Sequence, residues 1–284
     1  MFSFGALLSI VSGADFILGR FLISYAILFF AQLSVSYSND YFDFDADQYG
    51  KPTSISGGSG VLQTNPELRR FSKWFAILLM SSSIVVAIIF TILFFIPMLF
   101  LVLVVLGNLV GWYYAAPPLK LAYRGLGEVA GMVAIGLLMP GMGFFALKGI
   151  FDSIFLVFVL PSTFYACAFM VSVEIPDMEA DTLGHKKTLI VLKGRGFGFK
   201  LIALLLFLAT LSFAIFYTTN LFQSTINFGL ITLLSLIPLA IGIFGLVRQS
   251  DNREVATRLA SHYLSTFFVF LLMLNCYLVV MLFH

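Results

Sequence analysis

Runs of about 20 apolar residues free of charge recur along this chain, and nothing else in it limits the fold so severely. Runs of this length suit a helix that crosses roughly 30 Å of hydrocarbon, where every backbone N–H and C=O must be satisfied within the segment. Seven lie at about 21–38, 74–95, 97–116, 127–147, 153–173, 200–219 and 226–247, and an eighth covers about 262–283. The opening "MFSFGALLSIVSGA" is too short to span alone; it reads as a short first helix or the end of a longer one. It lacks the basic start and small-residue cleavage site of a signal peptide. With 60% hydrophobic and 11% charged residues among 284, the chain is far from the roughly half apolar, quarter charged make-up of soluble domains. The expectation is an all-α polytopic membrane protein with about nine transmembrane helices.

Charge is placed unevenly. Nine spans put Lys51, Arg69, Arg70, Lys73, Lys120, Arg124, Lys186, Lys187, Lys193, Arg195, Lys200, Arg248, Arg253 and Arg258 on one side, against Arg20 and Lys148 on the other. Fourteen against two predicts that the first side faces the cytoplasm, with the N-terminus there and the C-terminus outside, in the cell membrane. A net charge of +2 gives no reason to expect a nucleic-acid partner. Cys167 and Cys276 lie in separate apolar runs and imply no disulfide framework.

Nearly all the acidic residues share the basic side, in two groups. In "SNDYFDFDAD", Asp40, Asp43 and Asp47 fall at i, i+3 and i+7 if the helix continues through them. Asn39 joins the edge of that face and Asp45 points away. In "EIPDMEADTLGHKKTL", Asp177 and Asp181 are i, i+4 neighbours with Glu174 one turn earlier, and Glu179 is turned aside. Carboxylates about 4 Å apart repel by about 4 kcal/mol per pair at an effective dielectric near 20, so something cationic must hold such faces together. Mg2+, which takes one or two carboxylates plus waters and substrate phosphates, suits the pattern. A solvated acidic loop is the plainer reading of either group alone. "DFDADQYG" is not a calcium loop, because its glycine, Gly50, comes two positions late and Ser54 stands where a bidentate Glu is needed.

Between the fourth and fifth runs, "YYAAPPLKLAYRGLGE" ends a helix at Pro117 and Pro118 and supplies Lys120 and Arg124. Beside two acidic faces these cations suit a polyanion such as a diphosphate, although alone they read as ordinary anchors. Gly57, Gly58 and Gly60 in "SISGGSGVL" would let backbone approach a phosphate or make a mobile loop. Tyr114 and Tyr123 are aromatic candidates for facing a cation.

These residues resemble the UbiA-type intramembrane prenyltransferase superfamily. Its NDxxDxxxD signature is matched at Asn39, Asp40, Asp43 and Asp47, and DxExDxxxGxxTL at Asp177, Glu179, Asp181, Thr188 and Leu189, with Gly184 one position early. "APPLKLAYRGLGE" and "GGSGVL" are similar to the menaquinone (dihydroxynaphthoate prenyltransferase) branch, although "VEIP" stands where that branch often has Asn-Asn-x-Arg. "QYGKPTSISGGSG" replaces the NRPxRP stretch of the archaeal glycerol-ether branch. The resemblance implies a single transmembrane prenyltransferase domain over 1–284, with its helices around a central cavity. It implies transfer of an isoprenyl chain from an isoprenyl diphosphate to a lipophilic, aromatic quinone precursor or another acceptor. Asp40, Asp43, Asp47, Asp177 and Asp181 would hold Mg2+, Asn39 would orient the diphosphate, and Lys120 and Arg124 would bind it. An anion carrier and a scaffold that retains an inactive fold are the other classes open to a chain of many helices. A carrier places ionisable groups near mid-membrane, whereas here they cluster at helix ends.

The helical register predicts that Asp40→Ala and Asp177→Ala each abolish prenyl transfer by folded protein, while Asp45→Ala has a much smaller effect. Equal loss from all three in a transfer assay would refute the register.

Overall fold

The computed structural model describes residues 1–284 other than 51, 52, 54, 56, 57, 223, 224 and 284, so Lys51, Ser54 and Gly57 lie outside the described residues. Every element among the described residues is helical. The chain runs through α1 (Phe2–Val11), α2 (Leu18–Phe42), α3 (Phe44–Asp47), α4 (Val61–Thr64), α5 (Arg69–Leu93) and α6 (Leu99–Ala115). Then come α7 (Gly127–Val133), a wider turn at Ala134–Leu138, α8 (Met139–Lys148), α9 (Ser153–Glu174), α10 (Met178–Leu183), α11 (Leu189–Lys193), α12 (Arg195–Thr218), α13 (Phe228–Arg248) and α14 (Arg253–Met281). Among the described residues seven helices are long and apolar enough to cross a bilayer. Two apolar helices are shorter. The 17 residues of α6 reach the lower limit for a span, whereas the ten of α1 rise only about 15 Å.

The eighth run begins nine residues earlier than its hydropathy suggests. Asn252 accepts hydrogen bonds from the Glu254 and Val255 N–H groups, so α14 starts at Arg253, ahead of its apolar portion.

Two apolar cores organise the bundle. One gathers residues of α9, α12, α13 and α14, and the other residues of α2, α5, α6 and α8. With little hydrophobic drive between helices in lipid, close van der Waals fit has to hold them, and small residues allow it. The contact between α1 and α8 shows this. A Cβ on Gly143 would lie 2.1 Å from the Phe2 carbonyl oxygen, and one on Gly5 only 1.9 Å from that of Pro140.

At the end away from the acidic groups, both basic residues close helix ends. Arg20 donates to the carbonyls of Phe94 and Leu147, and Lys148 to the Ser12 carbonyl and hydroxyl while pairing with Asp152. Carbonyls that helix ends leave unpaired are thereby satisfied.

The α1–α8 contact predicts that Gly143→Leu destabilises the protein by about 1–3 kcal/mol, through overpacking. Gly107→Ala, whose Cβ meets nothing within 4 Å, should leave the Tm unchanged or slightly raised. Equal melting of the two variants in nanodiscs would contradict the close packing.

Candidate active site

Both acidic groups emerge at one end of the bundle. α2 stops at Phe42, but Asp43 N donates to Asn39 O and Asp47 N to Asp43 O, each at 2.8 Å. The helical spacing therefore carries through the joint into α3, and the Asp40, Asp43 and Asp47 carboxylates keep a common side. On the other wall, Ile175–Asp177 tightens into a 3-10 turn that leads directly into α10. The two motifs press together at Gly184, where a Cβ would lie 2.7 Å from the Cβ of Ala46. That close approach sets the acid faces across from each other.

Between them is a cavity of about 190 Å3, lined by Asn39, Asp40, Asp43, Asp47, Tyr114, Asp177, Asp181 and Lys186, with Gly58 at its edge. Among the described residues, Lys186 is the cation that lines it. Its Nζ lies 3.0 Å from Asp43 and 3.6 Å from Asp181, with the side chain largely buried. Sequence reading placed Lys186 only among the anchoring charges. The structural reason for its role is the end of α10. Lys186 N donates to Asp181 O and His185 N to Thr182 O, with His185 in the left-handed region at φ 60°. This paired closure folds the chain back and throws Lys186 over Asp181. Glycine usually takes that left-handed position; here Gly184 precedes it and a histidine occupies it.

Other bonds fix the rim. Tyr123 Oη donates to Asp43 at 2.8 Å, and Ser59 Oγ to Asp40 at 2.6 Å. Gly58, at φ +67°, brings backbone so near that a Cβ would stand 2.9 Å from Asp47 Oδ2. Thr188 caps α11 by accepting from Val191 N, and the buried Glu128 carboxylate accepts the Leu189 N–H. The first turn of α7 is thus stitched to the tail of the second motif, and Lys187 N donates to the Ala122 carbonyl at 3.3 Å in the segment before it.

Three acidic residues have other surroundings. Asp45 turns away to pair with Arg69 at 3.2 Å, and Arg69 also lies over the Phe44 ring. Glu179 receives both terminal nitrogens of the fully buried Arg195, at 2.7 and 2.5 Å. Glu174 is buried and does not line the cavity.

Lys120 and Arg124, read from the sequence as diphosphate ligands, do not line the cavity. Arg124 is exposed and donates to the Pro118 carbonyl at 2.8 Å. Lys120 stands 4.8 Å from the centre of the Tyr123 ring, which also lies 5.9 Å from Lys186 Nζ. It is therefore at the rim, with Tyr123 between it and Asp43.

Among the described residues, the acids at the cavity outnumber the cations. Burial, with Asp43, Asp40 and Asp177 close by, pushes the Asp47 carboxyl up to about 7 although Lys186 opposes it. Burial by itself would lower the Lys186 ammonium, but Asp43 and Asp181 outweigh it and hold the group well above its ordinary value. Burial and Asp43 likewise push the Tyr123 hydroxyl upward. Among the described residues no three acidic, His or Cys side chains converge into a cage for a bare ion. The spread instead suits ions that keep water and bind ligand oxygens between the walls.

A second, apolar cavity of about 310 Å3 adjoins the acidic one, with Asn39 and Tyr114 common to both. Val35, Gly111, Met139 and Met170 are among its walls, together with Ala134 and Ile135 from the wide turn after α7. The arrangement can hold an anionic head among the carboxylates and a hydrocarbon tail below it.

A model described as the UbiA prenyltransferase family matches residues 1–272. Among solved structures, the chain is similar to a UbiA homolog from Archaeoglobus fulgidus bound to DMAPP and Mg2+, with a TM-score of 0.67, 16% identity, and 95% of this chain and 94% of that one covered. It is also similar to a UbiA homolog from Aeropyrum pernix K1 in its apo form, with a TM-score of 0.64, 16% identity, and 94% and 95% covered. A structure concerned with digeranylgeranylglyceryl phosphate synthase in membranes has a TM-score of 0.66, 18% identity, and 97% and 92% covered. At such identities these likenesses establish the fold. Among curated proteins nothing matches.

The Asp47 carboxyl holds its proton more tightly folded, near 7, than unfolded, near 4, so its contribution to stability is lost as pH rises through that interval. In EDTA the Tm should fall between pH 5 and pH 8, and added Mg2+ should restore it at pH 8. Lys186→Gln should steepen the fall. A Tm indifferent to both pH and Mg2+ would contradict the charge imbalance.

Proposed function

This chain belongs to the UbiA prenyltransferase family, and we propose that it transfers an isoprenyl chain from an isoprenyl diphosphate to a lipophilic acceptor within the membrane, with Mg2+ as its cofactor. One observation carries the reading: five aspartates from two helix ends surround one cavity that opens onto an apolar one, with Lys186 as the fixed cation between the walls. A diphosphate alone would be repelled there. Asp40, Asp43, Asp47, Asp177 and Asp181 fit Mg2+ shared with its oxygens, directly or through water. When bound, Mg2+ supplies neutralisation of the charge that develops on the leaving diphosphate.

The protein's own groups do the rest. Lys186 stabilises the same charge from a fixed position, without reorganisation at the moment of reaction. Asn39, at the junction of the cavities, orients the diphosphate so that the first carbon of the chain enters the apolar cavity. Lys120, at the rim, and the exposed Arg124 draw the polyanion in before it meets Lys186. The apolar walls exclude water from the allylic cation, and the ring of Tyr114 stands at the place where that cation forms. The acceptor then attacks the cation with an electron-rich carbon, and the proton displaced from that carbon passes to the released diphosphate.

The finer reading is an aromatic, quinone-precursor acceptor of the menaquinone kind, in quinone biosynthesis. The segments "APPLKLAYRGLGE" and "GGSGVL" support it. The fourteen-to-two distribution of basic residues supports an active site facing the cytoplasm.

Protein in nanodiscs given radiolabelled geranylgeranyl diphosphate, Mg2+ and an acceptor panel including dihydroxynaphthoate and 4-hydroxybenzoate should yield a prenylated product. EDTA should stop its formation and Mg2+ restore it. Turnover indifferent to EDTA would remove the metal from the mechanism. Folded protein that neither forms product nor binds the diphosphate would favour a carrier or scaffold.

A further inference from the structure

The apolar cavity ends on two amides. Below it a small extension of about 30 Å3 shares Gln32, Val35, Gly107, Ala134 and Met139 with the larger cavity and adds Asn108. Asn108 is 3% exposed, and its Nδ2 donates to Ser83 Oγ at 3.2 Å and to the Val104 carbonyl at 2.9 Å. Ser83 is itself fixed, donating to the Ile27 carbonyl at 3.0 Å. The amide is therefore locked, and its Oδ1 has no hydrogen-bond partner among the described residues. Gln32 is exposed within the walls of both cavities. Along their helices Gln32 lies about 10 Å below Asn39, and Asn108 about 9 Å below Tyr114, which puts both amides well under the acidic cavity.

A buried carbonyl oxygen without a donor is costly, and native proteins rarely leave one. The hydrocarbon tail of an isoprenyl diphosphate has no O–H or N–H to offer it. We propose that this deep end is the recognition site for a hydroxyl group on the lipophilic acceptor, with the hydroxyl donating to Asn108 Oδ1 and accepting from the Gln32 amide. The extension has room for one such group, and the two amides that line it, one from α2 and one from α6, match the two roles of a hydroxyl. The proposal rests on the reading of the acidic cavity as the diphosphate site, has the acceptor share the apolar cavity with the first carbons of the prenyl chain, and makes Gln32 and Asn108 determinants of acceptor specificity.

The test uses two probes of nearly the same shape, 2-naphthol and 2-methoxynaphthalene, titrated by fluorescence into protein in nanodiscs. Wild type should bind the naphthol about tenfold more tightly, the worth of one hydrogen bond to a buried acceptor. Asn108→Leu should erase that preference while leaving the affinity for the ether within about twofold. Equal binding by wild type, as for a cavity that merely holds water, overturns the proposal, as does a preference that survives Asn108→Leu. If Asn108→Leu does not fold, Gln32→Leu carries the test: a reduced preference supports the site and an unchanged one overturns it. Binding of DMAPP with Mg2+, followed on the same samples, reports on the acidic cavity alone. Its absence from wild type would count against the proposed function and not against the hydroxyl site.

Discussion

The acidic end is arranged around one imbalance among the described residues: several carboxylates share a small, partly desolvated space with Lys186. At an effective dielectric near 20, two like charges about 4 Å apart cost about 4 kcal/mol, so the walls cannot all be ionised and stay close without further cations. The raised Asp47 carboxyl and the tightly held Lys186 proton are two expressions of that strain. A buried ion pair such as Lys186–Asp43 adds little net stability once desolvation is counted, but removing one partner leaves an uncompensated charge. The imbalance is a reason for the site to take up cations together with an anionic head.

The bundle makes the imbalance tolerable by fixing the backbone rather than the charges. Gly184 lets the second motif rest on Ala46, Glu128 holds the Leu189 N–H, and the closure after α10 aims Lys186. Each of these contacts decides where an aspartate or the lysine stands. Farther down, the same helices leave an apolar volume that shares Asn39 and Tyr114 with the acidic one. The polar and apolar parts of one amphiphile therefore have adjoining places, which explains why such chemistry belongs inside a membrane.

Much of this was legible in the chain. Apolar run length sets the helices, because lipid permits little else. Simple helical angles separate Asp45 from its neighbours, and the structure has it on Arg69. What escaped is what depends on three dimensions. Lys186 and Lys120 look alike as loop cations, and only the left-handed residue at His185 sends one of them into the cavity. Glu174 shares a helical face with Asp177 in projection, but the backbone tightens at Ile175–Asp177 and Glu174 is left buried outside the cavity. Asn108 would pass in sequence for an isolated polar residue in an apolar run; its locked amide and unpaired oxygen belong to the fold.

The central claim is that both acidic walls grip one metal–diphosphate unit, and magnetic resonance reads this directly. With Mn2+ in place of Mg2+ and DMAPP bound in nanodiscs, electron–nuclear double resonance should show coupling between the metal and the diphosphate phosphorus. That coupling should weaken or vanish in Asp40→Ala and in Asp177→Ala alike, since one residue comes from each wall. Coupling that survives unchanged when either wall is altered would show that the ion belongs to one motif alone, and the two-walled clamp would be wrong.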